Sequence, residues 1–375
     1  MNALTGSHWL LSYRREWLRA DIIAGLTAAA VVIPQAMAYA AIAGLRVEFG
    51  LYVALVPMLV YALLGTSRPL SVSCTSTIAI LTAHQLALVA GDKGPAEFAA
   101  AAATLALLTG GFLLLAGVAR LGFVANFISD PVLTGFKSGI GLVIVLSQLP
   151  KLLGIHIHSG EFFHNILAIL DHLPKTHLPT LLLSAAMMAL LFGLRRFSPR
   201  APAPLIAVAT GIAAAAFLGL AGDGIALTGR IPPGIPAPAL PDLALAHALW
   251  PGALGIALMS FTETIAAGRA FARDDDPRPV PARELIALGA ANVAGSLFHS
   301  LPAGGGTSQT AVNAGAGART QASELVTLAV VLATLLFLSP LIALLPQATL
   351  AAVVVVTTLS LLNPKDFRAI RRVRH

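Results

Sequence analysis

Glu263 stands inside an apolar stretch, in the run Ser260-Phe261-Thr262-Glu263-Thr264. A carboxylate at such a position costs roughly 2.5 to 3.5 kcal/mol on insertion scales, so it is usually retained for function. The structural alternative is a cap or a hydrogen bond to a neighbouring helix. Three more stretches place polar groups at comparable depth: Gln35 and Tyr39 in Ile33-Pro34-Gln35-Ala36-Met37-Ala38-Tyr39, Cys74, Thr75 and Ser76 in Arg68 to Thr77, and Thr307, Ser308, Gln309 and Thr310 after Gly304-Gly305-Gly306. These are neutral hydrogen-bonding groups, suited to holding an anion without trapping it. Their plainer reading is hydrogen bonding between helices, which membrane proteins use widely. An ionised glutamate beside an anion would repel it, so a proton on Glu263 should favour binding and link anion to proton.

Other candidates carry less. Asp130 and Lys137 can pair with each other or reach the interface, and His84 and His299 read as packed polar residues. His156, His158 and His164 have loose metal-ligand spacing in a loop, a weak context. Asp274 to Asp276 reads as a solvated turn. No Gly-Lys-Ser/Thr follows Gly304 to Gly306, so it is no phosphate loop, and neither a zinc-protease helix, a nucleophile elbow nor a dinucleotide fingerprint is present. The expectation is no enzyme, no metal and no cofactor. A single cysteine, Cys74, excludes a disulfide framework and a cysteine-based zinc site. The net charge of +7 comes from short basic clusters between apolar runs, without aromatic interleaving, which argues against nucleic acid.

These groups must be positioned by helices in a bilayer. Of 375 residues, 57% are hydrophobic and 11% charged, and the mean hydropathy is +0.83, more apolar surface than a water-soluble fold could hide. Spans need about 20 apolar residues, fewer where a helix is broken or buried among neighbours. Twelve segments are expected, at Asp21 to Leu45, Gly50 to Leu64, Leu70 to Ala90, Phe98 to Ala119, Val132 to Leu153, Leu178 to Phe197, Pro204 to Leu220, Trp250 to Ala267, Leu285 to Ser300, Ser308 to Ala318, Leu325 to Leu345 and Ala348 to Leu362. With the N-terminus inside, 18 of the 24 Lys and Arg residues fall on the cytoplasmic side and five outside (Arg46, Lys93, Lys151, Lys175 and Arg230), with Lys137 within a segment. That split follows the positive-inside rule and predicts a multi-pass inner-membrane protein with a cytoplasmic N-terminus. Met1 to Arg19 shows no removable signal peptide. Glu161 to Leu173 repeats apolar residues at helical spacing and should lie flat at the outer interface.

The Pro- and Gly-rich stretch 221–247 divides the chain into 1–220, with seven segments, and 248–375, with five. Seven is odd, so the eighth segment enters from the opposite side and any repeat across the linker is inverted. The first and eighth segments share a polar interruption, and the third and tenth share a small, polar opening. Interrupted segments at matching places in inverted halves point to a transporter binding site. Half-helices beginning near Thr75 and Ser308 would then aim their N-termini, with free N–H groups and positive dipole ends, at one spot that should hold an anion. The fold class is therefore an all-α polytopic membrane protein of the inverted-repeat, seven-plus-seven type, with two half-helices meeting at mid-membrane. A passive anion channel or exchanger on the same scaffold and a nucleobase permease of similar architecture are the rival readings, the permease disfavoured by Gln309 and by the lack of a carboxylate from Ser300 to Thr320.

Several runs resemble the sulfate permease (SulP) family over essentially the whole chain: Asp21-Ile22-Ile23-Ala24-Gly25-Leu26-Thr27 with Pro34-Gln35-Ala36-Met37-Ala38-Tyr39-Ala40, Thr262-Glu263-Thr264-Ile265-Ala266 with Gly268-Arg269, and Ala311-Val312-Asn313 with Gly315-Ala316-Gly317-Ala318-Arg319-Thr320. The resemblance implies two intertwined inverted repeats, a core domain moving against a gate domain, a homodimer, transport of a small anion such as sulfate, bicarbonate or a dicarboxylate, and cation or proton coupling at the position of Glu263. It also implies a Gly-Pro in the third segment, where this chain has Ser73-Cys74. Many animal members carry arginine where this chain has Gln309. Two further segments and a cytoplasmic STAS domain are implied beyond the twelve segments seen here.

Overall fold

The computed structural model of the chain describes residues 8–90, 94–126, 142, 145–155, 157, 162–198, 201–229, 231–232, 234–238, 240–273 and 276–359. In chain order its main elements are α1 (Leu18–Ile42), α2 (Val47–Val53), α3 (Val56–Leu64), β1 (Val72–Ser73), α4 (Ser76–Ala90), α5 (Pro95–Val118), α6 (Phe162–His172), α7 (Leu178–Phe197) and α8 (Ala203–Leu218). There follow α9 (Ala246–Ala270), α10 (Pro281–Ser296), β2 (Gly304–Gly305), α11 (Thr307–Gly315), α12 (Ala322–Ala333) and α13 (Gln347–Leu359). Among the described residues six helical stretches are long and apolar enough to cross a membrane. Helices suit that setting because they satisfy their own backbone hydrogen bonds. This is an all-α polytopic membrane fold whose only sheet, among the described residues, is the two-residue ladder of β1 and β2.

The chain forms two compact units, each drawn from two separate stretches of the sequence: residues 1–127 with 232–337, and residues 128–231 with 338–375. In the first unit, α10 crosses α5 where Gly110 and Gly289 meet. A Cβ at Gly110 would lie 2.7 Å from the Gly289 carbonyl oxygen, so small residues are what bring these two backbones together. α12 lies along α1, its Thr327 hydroxyl donating to the Gly25 carbonyl at 3.0 Å. Asp21 of α1 caps the approach to α12: its carboxylate accepts from the backbone N–H of Arg319 (2.7 Å) and Thr320 (3.1 Å) and from the Thr320 hydroxyl (2.7 Å). Acidic caps of this kind satisfy N–H groups that a helix start leaves without partners. The core beneath is apolar, with Tyr61, Leu70, Ile78, Leu105, Leu249 and Leu288 among its buried members.

In the second unit α7, α8 and α13 pack through Met187, Leu191, Ala203, Ala207, Ala352, Val353 and Val356. Arg195 ends α7 by donating to the Val356 carbonyl at 2.8 Å. The 221–229 stretch is held by backbone bonds from Thr228 N to Leu345 O (2.8 Å) and from Gln347 N to Ala226 O (2.9 Å). α6 keeps Phe163, Leu167 and Leu170 exposed on one face.

Where sequence and structure differ, the causes are local. The polar runs in the first and eighth segments leave α1 and α9 unbroken. In α9 the hydroxyls of Thr262 and Thr264 donate back to the carbonyls of Leu258 (2.8 Å) and Ser260 (2.7 Å), so the polar groups serve the helix itself. The second segment divides at Ala54-Leu55, where Leu55 leaves helical geometry (φ −105°, ψ −80°) ahead of Pro57. The eleventh widens after α12 into a π-turn over Thr334–Leu338. His84 is exposed, not packed. Asp130, Lys137, His156, His158, Asp274 and Asp275 lie outside the described residues, as does most of the fifth segment.

Candidate functional site

The third and tenth segments meet through the ladder. β1 and β2 pair antiparallel with Val72 opposite Gly305 and Ser73 opposite Gly304. α4 starts three residues after β1, and α11 starts two after β2. Two half-helices thus leave one short sheet, their N-terminal ends beside it. The first turn of any helix carries N–H groups without intrahelical partners and the positive end of the peptide dipoles.

A dense hydrogen-bond set fixes this crossing. Ser71 N donates to Thr310 Oγ1 (3.1 Å), and Gly306 N donates to the Ser71 carbonyl (3.0 Å). The Gln309 amide reaches back to β1: its Oε1 accepts from the Ser73 hydroxyl (2.5 Å), and its Nε2 lies 3.4 Å from the Cys74 carbonyl. Gln309 and Thr310 are buried and spent on the crossing, whereas Thr307 and Ser308, which open α11, are exposed.

α9 holds the same crossing from one face. Ser260, Glu263 and Thr264 lie three and four residues apart and share that face. The Ser260 hydroxyl donates to the Ala303 carbonyl at 2.7 Å, and Gly305 N donates to Thr264 Oγ1 at 2.8 Å. The approach demands glycine, since a Cβ at Gly305 would stand 2.7 Å from Thr264 Cα. Asn292 of α10 brackets Ala303 from the other side, accepting from its N–H (2.8 Å) and donating to its carbonyl (3.1 Å).

Glu263 is buried and spans the start of α4. Its two carboxyl oxygens accept from the hydroxyls of Thr75 and Thr77, each at 2.9 Å. Thr75 Oγ1 also caps α4, receiving Ile78 N at 3.3 Å. Tyr39 of α1 comes to the same place, in one buried cluster with Cys74. Gln35, one turn earlier, is buried, and its Oε1 has no hydrogen-bond partner. The structure therefore gathers Tyr39, Cys74, Thr75, Ser76 and Glu263 at the opening of α4, and Gln309 and Thr310 at the crossing itself. Thr307 and Ser308 begin α11. Among the described residues no group of three or more His, Cys, Asp or Glu could hold a metal ion.

Three buried acids were not read as partners of this frame. Glu284 of α10 accepts from the Tyr61 hydroxyl (2.7 Å) and Thr66 N (2.8 Å) and also bonds the Thr66 hydroxyl. Glu324 of α12 bonds Ser71 and Asn313, and Asp21 caps as described. The available signal was their burial-prone setting: each lies at an end of an apolar segment, where a charged residue is ordinarily taken for an interfacial one.

The sulfate permease family model matches residues 18–375. A probable sulfate transporter of Mycobacterium tuberculosis is 43% identical over 365 residues, covering 96% of this chain and 65% of the relative. A sodium-independent sulfate anion transporter of Bos taurus is 31% identical over 406 residues, covering 98% of this chain and 65% of that one. The chain thus spans about two thirds of the length of these relatives. Among solved structures, the murine SLC26A9 anion transporter in the inward-facing state matches with a TM-score of 0.90 at 26% identity, over 95% of this chain and 62% of that one. The transmembrane domain of a cyanobacterial bicarbonate transporter, BicA, matches with a TM-score of 0.84 at 26% identity, over 93% and 90% respectively. With the crossed half-helices, the α9 acid beside them and a match along nearly the whole length, this chain belongs to the sulfate permease family.

Proposed function

We propose that this chain carries a small anion (sulfate, bicarbonate or a dicarboxylate) across the inner membrane by alternating access, together with a proton. The observation that carries the reading is the single ladder from which α4 and α11 both begin. Two positive helix ends with free N–H groups side by side favour an anion over any neutral solute. Ser76, Thr307 and Ser308 supply hydroxyls at those ends. Gln35 offers a buried side-chain amide whose N–H groups can donate. Tyr39, Cys74 and Thr75 line the α4 opening, while Gln309 and Thr310 keep the two openings in register.

Glu263 is the proton-coupling residue on this reading. Ionised, its carboxylate puts a negative charge at the start of α4, opposing an incoming anion. Protonated, it removes that charge and keeps hydroxyl partners. The lysine and arginine distribution supports a cytoplasmic N-terminus. The alternation of segments supports residues 1–220 and 248–375 as inverted halves about 221–247, and the homodimer is carried over from the family resemblance.

Uptake into proteoliposomes of labelled sulfate, bicarbonate and succinate, each at two external pH values, tests the proposal. The expected outcome is saturable anion uptake that rises with an inward proton gradient and loses that dependence in Glu263→Gln. Uptake of uncharged solutes only would remove the anion assignment. Anion flux indifferent to both gradient and substitution would turn the reading to a passive channel.

A further inference from the structure

Glu324 opens α12 at 0% exposure, among the most buried acids in the chain. Its carboxyl has two neutral side-chain partners: the Ser71 hydroxyl lies 2.9 Å from Oε2, and Asn313 Nδ2 donates to Oε1 at 3.0 Å. The orientation of the Asn313 amide is set independently, because the same Nδ2 donates to the Pro69 carbonyl at 3.0 Å. Its Oδ1 is buried and has no donor. A carboxylate removed from water in such surroundings needs a counter-charge, or it gives up its charge by taking a proton.

The charged and titratable groups that neighbouring elements bring to this end of α12 are engaged elsewhere. Asp21 of α1 caps Arg319 and Thr320 through their backbone N–H groups. Tyr61 of α3 donates to Glu284 of α10. Arg68 pairs with Asp276 at 3.5 Å and stacks over Trp17. α11 contributes Asn313 and no titratable side chain. Among the described residues no cation pairs with Glu324.

We propose that Glu324 is a second proton-binding site of this chain, on the far side of β1 from Glu263, and that its protonation holds the strand carrying α4. The step is simple: a proton from bulk water forms one O–H bond on Oε2, and that O–H then donates to Ser71 Oγ, which is as close for a protonated acid as for an ionised one. Ser71 joins this site to the ladder, since its N–H and carbonyl bond Thr310 and Gly306. β1 is thereby bracketed by two buried carboxyls, Glu324 on Ser71 before it and Glu263 on Thr75 after it. Loss of the proton would leave an uncompensated charge at Ser71 and draw water or a rearrangement to that end of the strand.

Infrared titration of the purified chain in lipid tests the site without transport. Wild type should show a protonated-carboxyl C=O band that persists through neutral pH and is lost in Glu324→Gln. A band set unchanged by Glu324→Gln overturns the proposal. Should Glu324→Gln fail to fold, Ser71→Ala is the second arm: the band should shift as its hydrogen bond is lost, and an unmoved band in a folded Ser71→Ala protein overturns the proposal equally. A third arm rests on the anion-transport reading. Sulfate uptake by Glu324→Gln should match wild type at acidic pH and lose part of the decline seen as pH rises; an unaltered pH profile counts against the site. No uptake by wild type at any pH would sink the transport reading while the infrared result stands by itself.

Discussion

The two half-helix openings are built differently although they leave the same ladder. At the α4 opening side chains are engaged: Thr75 caps the helix and donates to Glu263, and Thr77 donates to the same carboxyl. At the α11 opening, a glycine run brings the backbone under α9, while Thr307 and Ser308 stay exposed. One opening is wired to an acid; the other is left accessible. The difference teaches that the buried acid and the most exposed hydroxyls are tied to opposite strands of one frame, so substitutions should separate stability from anion affinity according to the strand they touch.

The hardest break is Gly305→Val. Its side chain would meet Thr264 on α9, and overpacking against a helix backbone should cost about 3 kcal/mol. Thermal unfolding of the purified protein checks this; an unchanged melting temperature would mean that α9 does not seat against β2. Thr75→Val removes both a cap and a donor to a buried carboxyl, together about 2 kcal/mol. The same melting experiment should show a loss roughly two thirds as large, with weakened proton dependence of uptake. Thr310→Val leaves Ser71 N without its acceptor and should cost about 1 kcal/mol, read as earlier hydrogen exchange at Ser71. Ser308→Ala should be the mildest for stability, within about 0.5 kcal/mol, yet raise the KM for sulfate roughly fivefold, the worth of one hydrogen bond of about 1 kcal/mol. A Ser308→Ala protein that melts early and transports with unaltered KM would erase the contrast.

The half-helix starts were legible in the sequence because good helix formers give out there. Thr75 and Ser308 were expected, and the helices open at Ser76 and Thr307. The ladder between them was not legible. Val72 and Gly305 are far apart in sequence, and two residues per strand leave no alternation to read. Glu263 stood out because its neighbours are apolar, but its partners did not, since Thr75 and Thr77 look like any small polar pair. Ser260 and Thr264 were read as an interruption; they are a helical face, and only the neighbouring chain reveals that. Glu284 and Glu324 went unread for the opposite reason: a carboxyl at a segment end looks solvated until a loop such as 64–71 folds over it.

Because α4 and α11 are spliced onto one two-rung ladder, and α9 grips that ladder through Ser260 and Thr264, the two helix tips form a single yoke. A passenger seated on both cannot be let go by prising the tips apart without tearing those bonds. On the transport reading, unloading must come from a change in what surrounds the yoke, with the yoke itself riding along intact.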